Sequence, residues 1–305
     1  MKILLVGASG LLGCAFAKAA QRRRHEVIGI VGSYSQSIEG LSQRKTIDLH
    51  DLASLESLVL GIFPDAIVNC AAYAIPSDCE SNPKRTAEIN VALPQKLALL
   101  ARHLFARYLH ISSDQVFDGN DAPYATSATP NPPNQYARQK LESEKLVLDL
   151  AAEFASVIRI PLLNGNSLAG QRSIHESLFR SWSLGERPAL FCDEYRQPCL
   201  TDNLAEAMVE LCERNDSRGL LHWAGRDRLS RFEIGKRILD HFGLPAGFIK
   251  RAERGDDPRF AQRQNDLSLD LQPLAGILKT RPQSFSDQLD GLVVPKPYRE
   301  WYHSI

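Results

Sequence analysis

An α/β fold, built as a doubly wound parallel sheet with a second, smaller α/β lobe, is predicted by three features of the sequence. Short β-branched runs alternate with longer amphipathic stretches through the first half of the chain, as stacked βαβ units require. A glycine-rich turn joins the first such run to the first amphipathic stretch. After Pro161 the regular alternation fades, which divides the chain into a first domain over 1–160 and a mainly substrate-binding lobe over 161–305, with the chain free to cross between them.

Taken in order, Lys2–Val6 reads as a first strand, because its apolar run is far too short for a signal sequence or a membrane span. Apolar residues at helical spacing follow over Leu11–Arg24. Glu26–Ile30 is the second strand, a short strand precedes Asp48, and Ala66–Asn69 is the next. The spacing predicts helices over Pro83–Arg107 and Tyr136–Phe154, and strands over Tyr108–Ser112 and Ser156–Ile160. Between Asn120 and Pro133, proline, asparagine, aspartate and threonine dominate, which is loop chemistry. In the second lobe Leu220–Ala224 and a Ser230–Phe242 helix stand out, Ser230 and Glu233 having capping-box spacing.

The 305 residues carry 36 basic and 36 acidic side chains, so no long-range field gathers nucleic acid or a membrane surface, and an anionic ligand must be held by local groups. Six scattered cysteines without a C-x-x-C pair read as reduced core thiols of a cytoplasmic protein. No cluster has metal-ligand spacing, so no metal is expected. A homodimer is left open.

Gly7-Ala-Ser-Gly10-Leu-Leu-Gly13 closes a strand and opens a helix, the context in which backbone N–H groups hold the pyrophosphate of a dinucleotide in a Rossmann-type domain. After the second strand comes Val31-Gly32-Ser33, without the carboxylate that usually binds a ribose 2′-hydroxyl; NADP(H) is therefore favoured over NAD(H). Arg22, Arg23 and Arg24 could reach a 2′-phosphate, but basic residues suit a helix C-terminus without any ligand. Asp48 is either an acceptor for the adenine amino group or a turn aspartate.

Tyr136 and Lys140 stand four apart on one helix face. A phenol is a reluctant acid at neutral pH unless positive charge stabilises its phenolate, and Lys140 with an oxidised nicotinamide would supply that charge. Ser113 ends a strand where open α/β sheets place ligand groups. Its hydroxyl can polarise a carbonyl while Tyr136 gives a proton and a hydride arrives from the nicotinamide.

With Asp48-Leu49, Val68–Ala72, Asp78–Glu80, Asn90-Val91, Ile111–Gly119 and Arg159–Pro161, these motifs make the chain resemble the extended short-chain dehydrogenases/reductases, and within them the dTDP-4-dehydrorhamnose reductase group, over nearly its whole length. The resemblance implies a catalytic Ser113, Tyr136 and Lys140. It implies cofactor contacts from Gly7, Ser9, Gly10, Leu11, Leu12, Gly13, Asp48, Leu49, Cys70, Ala71, Ala72, Tyr73, Asn90, Tyr136, Lys140 and Ile160. It implies a sugar-nucleotide substrate, reduced at a 4-keto group and touched by Ser113, Gln115, Asn164 and Arg196. Arg196 could equally form an ion pair with Asp193 or Glu194.

The chain also resembles the regulatory beta subunits of methionine adenosyltransferase, which act by binding a partner. It departs from the reductase pattern at Gln115, where a tyrosine is usual, and at Leu162-Leu163-Asn164, where Trp and Tyr are common. Sugar-nucleotide epimerase or dehydratase chemistry and a non-catalytic regulatory role are the alternatives. No Glu follows Asp114 as a dehydratase would have it, so reduction ranks first.

Overall fold

The computed structural model describes every residue except 215, 259, 261 and 262. Its strands are β1 (Lys2–Val6), β2 (Glu26–Val31), β3 (Gln43–Thr46), β4 (Ala66–Asn69), β5 (Arg107–Ser113), β6 (Ala155–Ile160), β7 (Leu163–Asn164), β8 (Ala189–Phe191), β9 (Tyr195–Arg196), β10 (Cys199–Leu200), β11 (Gly219–His222), β12 (Leu229–Ser230) and β13 (Lys250–Ala252). The α-helices are α1 (Leu11–Arg22), α2 (Leu52–Ile62), α3 (Pro76–Ser81), α4 (Pro83–Ala87), α5 (Leu93–Leu104), α6 (Gln135–Ala151), α7 (Ile174–Ser183), α8 (Thr201–Glu213), α9 (Arg231–His241), α10 (Leu274–Ile277), α11 (Phe285–Leu289) and α12 (Arg299–His303).

The predicted sheet is present, with seven strands in the order β11-β6-β5-β4-β1-β2-β3, all pairs parallel. Strands buried on both faces need apolar side chains on both, and β1, β2 and β4 supply them as nearly continuous Ile, Leu and Val runs. One face packs on α1 and α8 through Phe16, Ala20, Leu204 and Met208; the other packs on α2, α5 and α6 through Val59, Leu97, Ala101 and Val147. β11 and α8 come from beyond residue 161, so the later part of the chain finishes the sheet.

That lobe has its own core, in which Phe179, Trp182, Ile234, Ile238 and Phe285 are buried. The capping box at Ser230 is formed, each partner's side chain accepting the other's backbone N–H. The long helix expected over Pro83–Arg107 is instead α4, a π-helical turn over Glu88–Ala92, and α5. Pro94 sits in the first turn of α5, directly after the π turn, and has no N–H to donate back to it. Among the described residues no helix is long and apolar enough to cross a membrane.

Candidate active site

The glycine turn follows β1 at the C-terminal edge of the sheet. Gly7 has φ +83°, and a Cβ there would stand 2.8 Å from the Ala71 nitrogen. A Cβ on Gly13 would stand 2.3 Å from the Gly7 carbonyl oxygen. Gly10 is the N-cap of α1; no side chain caps the helix and its first turn carries no acid. The first-turn N–H groups are thus available to an incoming anion, and the residues present fit the pyrophosphate of a dinucleotide.

The Cys70–Tyr73 strip, which follows β4, lies directly against the glycine turn. Asn69 Oδ1 accepts from Ala71 N at 3.1 Å, and Asn90 Oδ1 accepts from Tyr73 N at 2.9 Å while its Nδ2 donates to Tyr73 O at 3.1 Å and Gln139 Oε1 at 2.8 Å. Asn90 is 0% exposed, and through these bonds it braces the strip. Asp48 behaves as a turn residue, accepting from His50 N at 3.0 Å. Arg22 and Arg23 pair with Glu206 and Glu213 at 2.6 and 2.8 Å, a helix length of about 18 Å from the glycine turn. Beyond β2, Arg44 donates to the Ser35 carbonyl and, at 3.0 Å, to that of Gln36.

Ser113, at the end of β5, is in register with Ile160 at the end of β6. Its hydroxyl donates to Asp114 Oδ1 at 3.2 Å and accepts from Gln115 N at 3.2 Å. Asn134 caps α6, accepting from Ala137 N at 2.9 Å, and so starts the helix that carries Tyr136 and Lys140. Burial pushes the Tyr136 phenol up to about 12, with the neighbouring Ser113 hydroxyl pulling the other way. The Lys140 ammonium donates to the Ile111 carbonyl at 2.6 Å. Burial brings Lys140 itself down to about 8. Burial likewise raises the Asp114 carboxyl to about 7, with Arg196 opposing.

Two buried networks that the sequence reading missed fix α6 in place. Asn69 Nδ2 lies 3.3 Å from His110 Nδ1, His110 Nε2 lies 3.0 Å from Ser143 Oγ and 3.5 Å from Lys140 Nζ, and Ser143 donates to Lys140 O at 2.7 Å. Glu144 accepts from Ser112 Oγ and takes both Nε and Nη2 of Arg159, at 2.9 and 2.7 Å. Glu144 stands four residues beyond Lys140 on the same helix face; a carboxylate on a buried stripe was the available signal.

Two of the expected substrate contacts are buried in the second half of the chain. Asn164 is 0% exposed; its Nδ2 donates to Gln288 Oε1 at 3.5 Å, and its Oδ1 has no partner. Arg196 is committed to Glu194 at 3.1 Å and to the carbonyls of Tyr195 and Gln264; of its two readings the ion pair is the one formed. Glu194 is itself 1% exposed and also takes Arg263 at 2.5 Å. Gln115 remains half-buried at the rim, its carbonyl accepting from Gln264 Nε2 at 3.1 Å. All six cysteines are free, and among the described residues no group of three or more His, Cys, Asp or Glu could hold a metal ion.

The family model described as RmlD substrate binding domain matches residues 1–295. The beta subunit of methionine adenosyltransferase 2 from Xenopus tropicalis is 31% identical over 255 residues, covering 82% of this chain and 74% of that protein. A solved structure described as a hypothetical dTDP-4-dehydrorhamnose reductase from Sulfolobus tokodaii is 31% identical with a TM-score of 0.82, covering 96% of this chain and 100% of that one. The Bacillus anthracis dTDP-4-dehydrorhamnose reductase, solved in complex with NADP, has a TM-score of 0.79 at 20% identity, covering 95% and 96%; at that distance the likeness is one of fold.

Proposed function

The chain belongs to the RmlD substrate-binding-domain family, and from that premise we propose that it is an NAD(P)H-dependent reductase of a 4-keto-6-deoxy sugar nucleotide, preferring NADP(H). The observation that carries this reading is the meeting of Ser113, Tyr136 and Lys140 at the sheet edge beside an uncapped glycine turn. When bound, the reduced nicotinamide supplies a hydride. Gly7, Gly10 and Gly13 would hold its pyrophosphate, and Ala71, Ala72, Tyr73 and Ile160 would line its path.

The chain's own residues supply the rest. Ser113 turns its hydroxyl from Asp114 to the substrate carbonyl oxygen, where developing negative charge strengthens the hydrogen bond. Tyr136, whose burial keeps it a phenol well beyond neutral pH, donates the proton to that oxygen. Lys140, released from the Ile111 carbonyl, places its charge near the phenol and eases that proton's departure. Gln115 at the rim selects among sugars. The missing carboxylate after Val31, together with Arg44 beside the Ser35 and Gln36 carbonyls, supports the preference for a 2′-phosphate.

A second reading, a cofactor-binding regulatory subunit, is favoured by the 31% identity to the methionine adenosyltransferase 2 beta subunit. Oxidation of NADPH and NADH, followed with dTDP-4-keto-6-deoxy sugars for the wild type and Tyr136→Phe, separates the two. Turnover abolished by the substitution supports reduction at this site; tight cofactor binding without turnover on any keto sugar supports the regulatory reading.

A further inference from the structure

We propose that Arg172, on the loop leading into α7 of the second lobe, is a cation clamp on the pyrophosphate of the dinucleotide held at the glycine turn. The proposal rests on the cofactor reading above. The segment Gly7–Gly13 contains no charged side chain, so within it only backbone N–H groups and the positive end of α1 meet the two negative charges of a pyrophosphate.

Arg172 is held where it can add to them. Glu176, 1% exposed, accepts from Ser167 N at 2.6 Å, Ser167 Oγ at 2.7 Å, Arg172 N at 2.6 Å and Ser173 N at 3.0 Å. One buried carboxylate thus cinches the 167–173 loop and fixes the Arg172 backbone. The side chain reaches across to the first domain: a Cβ placed on Gly10 would lie 4.0 Å from Arg172 Nη1. Cys14, in the first turns of α1, also feels the charge of Arg172.

The guanidinium has no hydrogen bond or ion pair to a described residue. The other cations along α1 are already engaged, Lys18 with Glu39 at 2.9 Å and Arg22 and Arg23 with Glu206 and Glu213. A free cation at a helix N-terminus meets the wrong end of the dipole. An anion between the two converts that repulsion into two attractions, which is the arrangement a bound pyrophosphate provides. Because α7 packs in the second lobe's core through Ile174, Leu178 and Phe179, the clamp also ties that lobe to the cofactor.

Titration of NADPH and NADH by fluorescence against the wild type, Arg172→Ala and Arg172→Lys tests this. Arg172→Ala is expected to weaken both dinucleotides about tenfold, as the loss of one exposed charge-assisted hydrogen bond should, and Arg172→Lys to weaken them less. The melting temperature of the cofactor-free variants should be unchanged or higher. Wild-type binding with an undiminished Ala variant overturns the clamp alone. A loss confined to NADPH assigns the guanidinium to the 2′-phosphate and overturns the pyrophosphate assignment. A wild type that binds neither dinucleotide overturns the cofactor reading and the clamp with it.

Discussion

Replacing Glu144 by alanine removes the acceptor of three buried hydrogen bonds and strands the Arg159 guanidinium. Both side chains are at most 3% exposed, and Arg159 Nη1 already lacks a partner, so no solvent can take over. Breaking such a pair from one side costs about 3–5 kcal/mol. At roughly 2 °C per kcal/mol for a chain this long, the melting temperature should fall by about 6–10 °C. Since the pair joins α6 to β6 one helical turn from Lys140, turnover should fall as well. Glu144→Leu combined with Arg159→Met replaces the whole pair with apolar groups and should recover most of the loss. Thermal unfolding followed by circular dichroism measures all three proteins. A single variant losing less than about 2 °C, or a double variant less stable than the single one, refutes the reasoning.

Three further outcomes follow from the site. Gly13→Ala forces a methyl to 2.3 Å from the Gly7 carbonyl, so the turn must open; NADPH affinity should drop more than tenfold, on the scale of about 1–3 kcal/mol for an overpacked position, and an unchanged titration contradicts this. The Lys140 ammonium, brought down to about 8 by burial, is lost above that pH, so kcat/KM should decline as pH rises through about 8, whereas a flat profile to about 10 removes Lys140's charge from the mechanism. Asp114, raised from 3.8 to about 7, favours the folded state at low pH and loses that contribution as pH rises from the unfolded to the folded value. Asp114→Asn should therefore gain on the wild type between those pH values, by up to about 4 kcal/mol, seen as a widening difference in melting temperature; a constant difference argues against a buried neutral carboxyl.

The sheet was legible because parallel strands buried on both faces leave continuous Val, Ile and Leu runs, and the glycine turn because its spacing serves backbone geometry. Other features are placed by packing between segments distant in sequence. β11 is four residues long, and its place beside β6 depends on α8 packing against α1. The π turn at Glu88–Ala92 lies inside a helical pattern that periodicity reads as continuous. Asn90, Asn164 and Arg196 were recognised as polar residues in suggestive places, yet their roles turn on burial and on partners distant in sequence: Gln139, Gln288 and Glu194. Tyr136 and Lys140 share a helix face as their spacing requires, but the direction of the ammonium is set by the Ile111 carbonyl, which no spacing rule reveals.

Transfer of a hydride to a sugar nucleotide at Ser113, Tyr136 and Lys140 is what separates a reductase from a subunit that only holds a cofactor. Mass spectrometry of the sugar nucleotide after incubation with NADPH deuterated at the nicotinamide C4, for the wild type and Tyr136→Phe, tests it directly. One deuterium is expected at the sugar C4 with the wild type and none with the variant. Deuterium transferred equally by both proteins, or by neither while the cofactor binds, contradicts it.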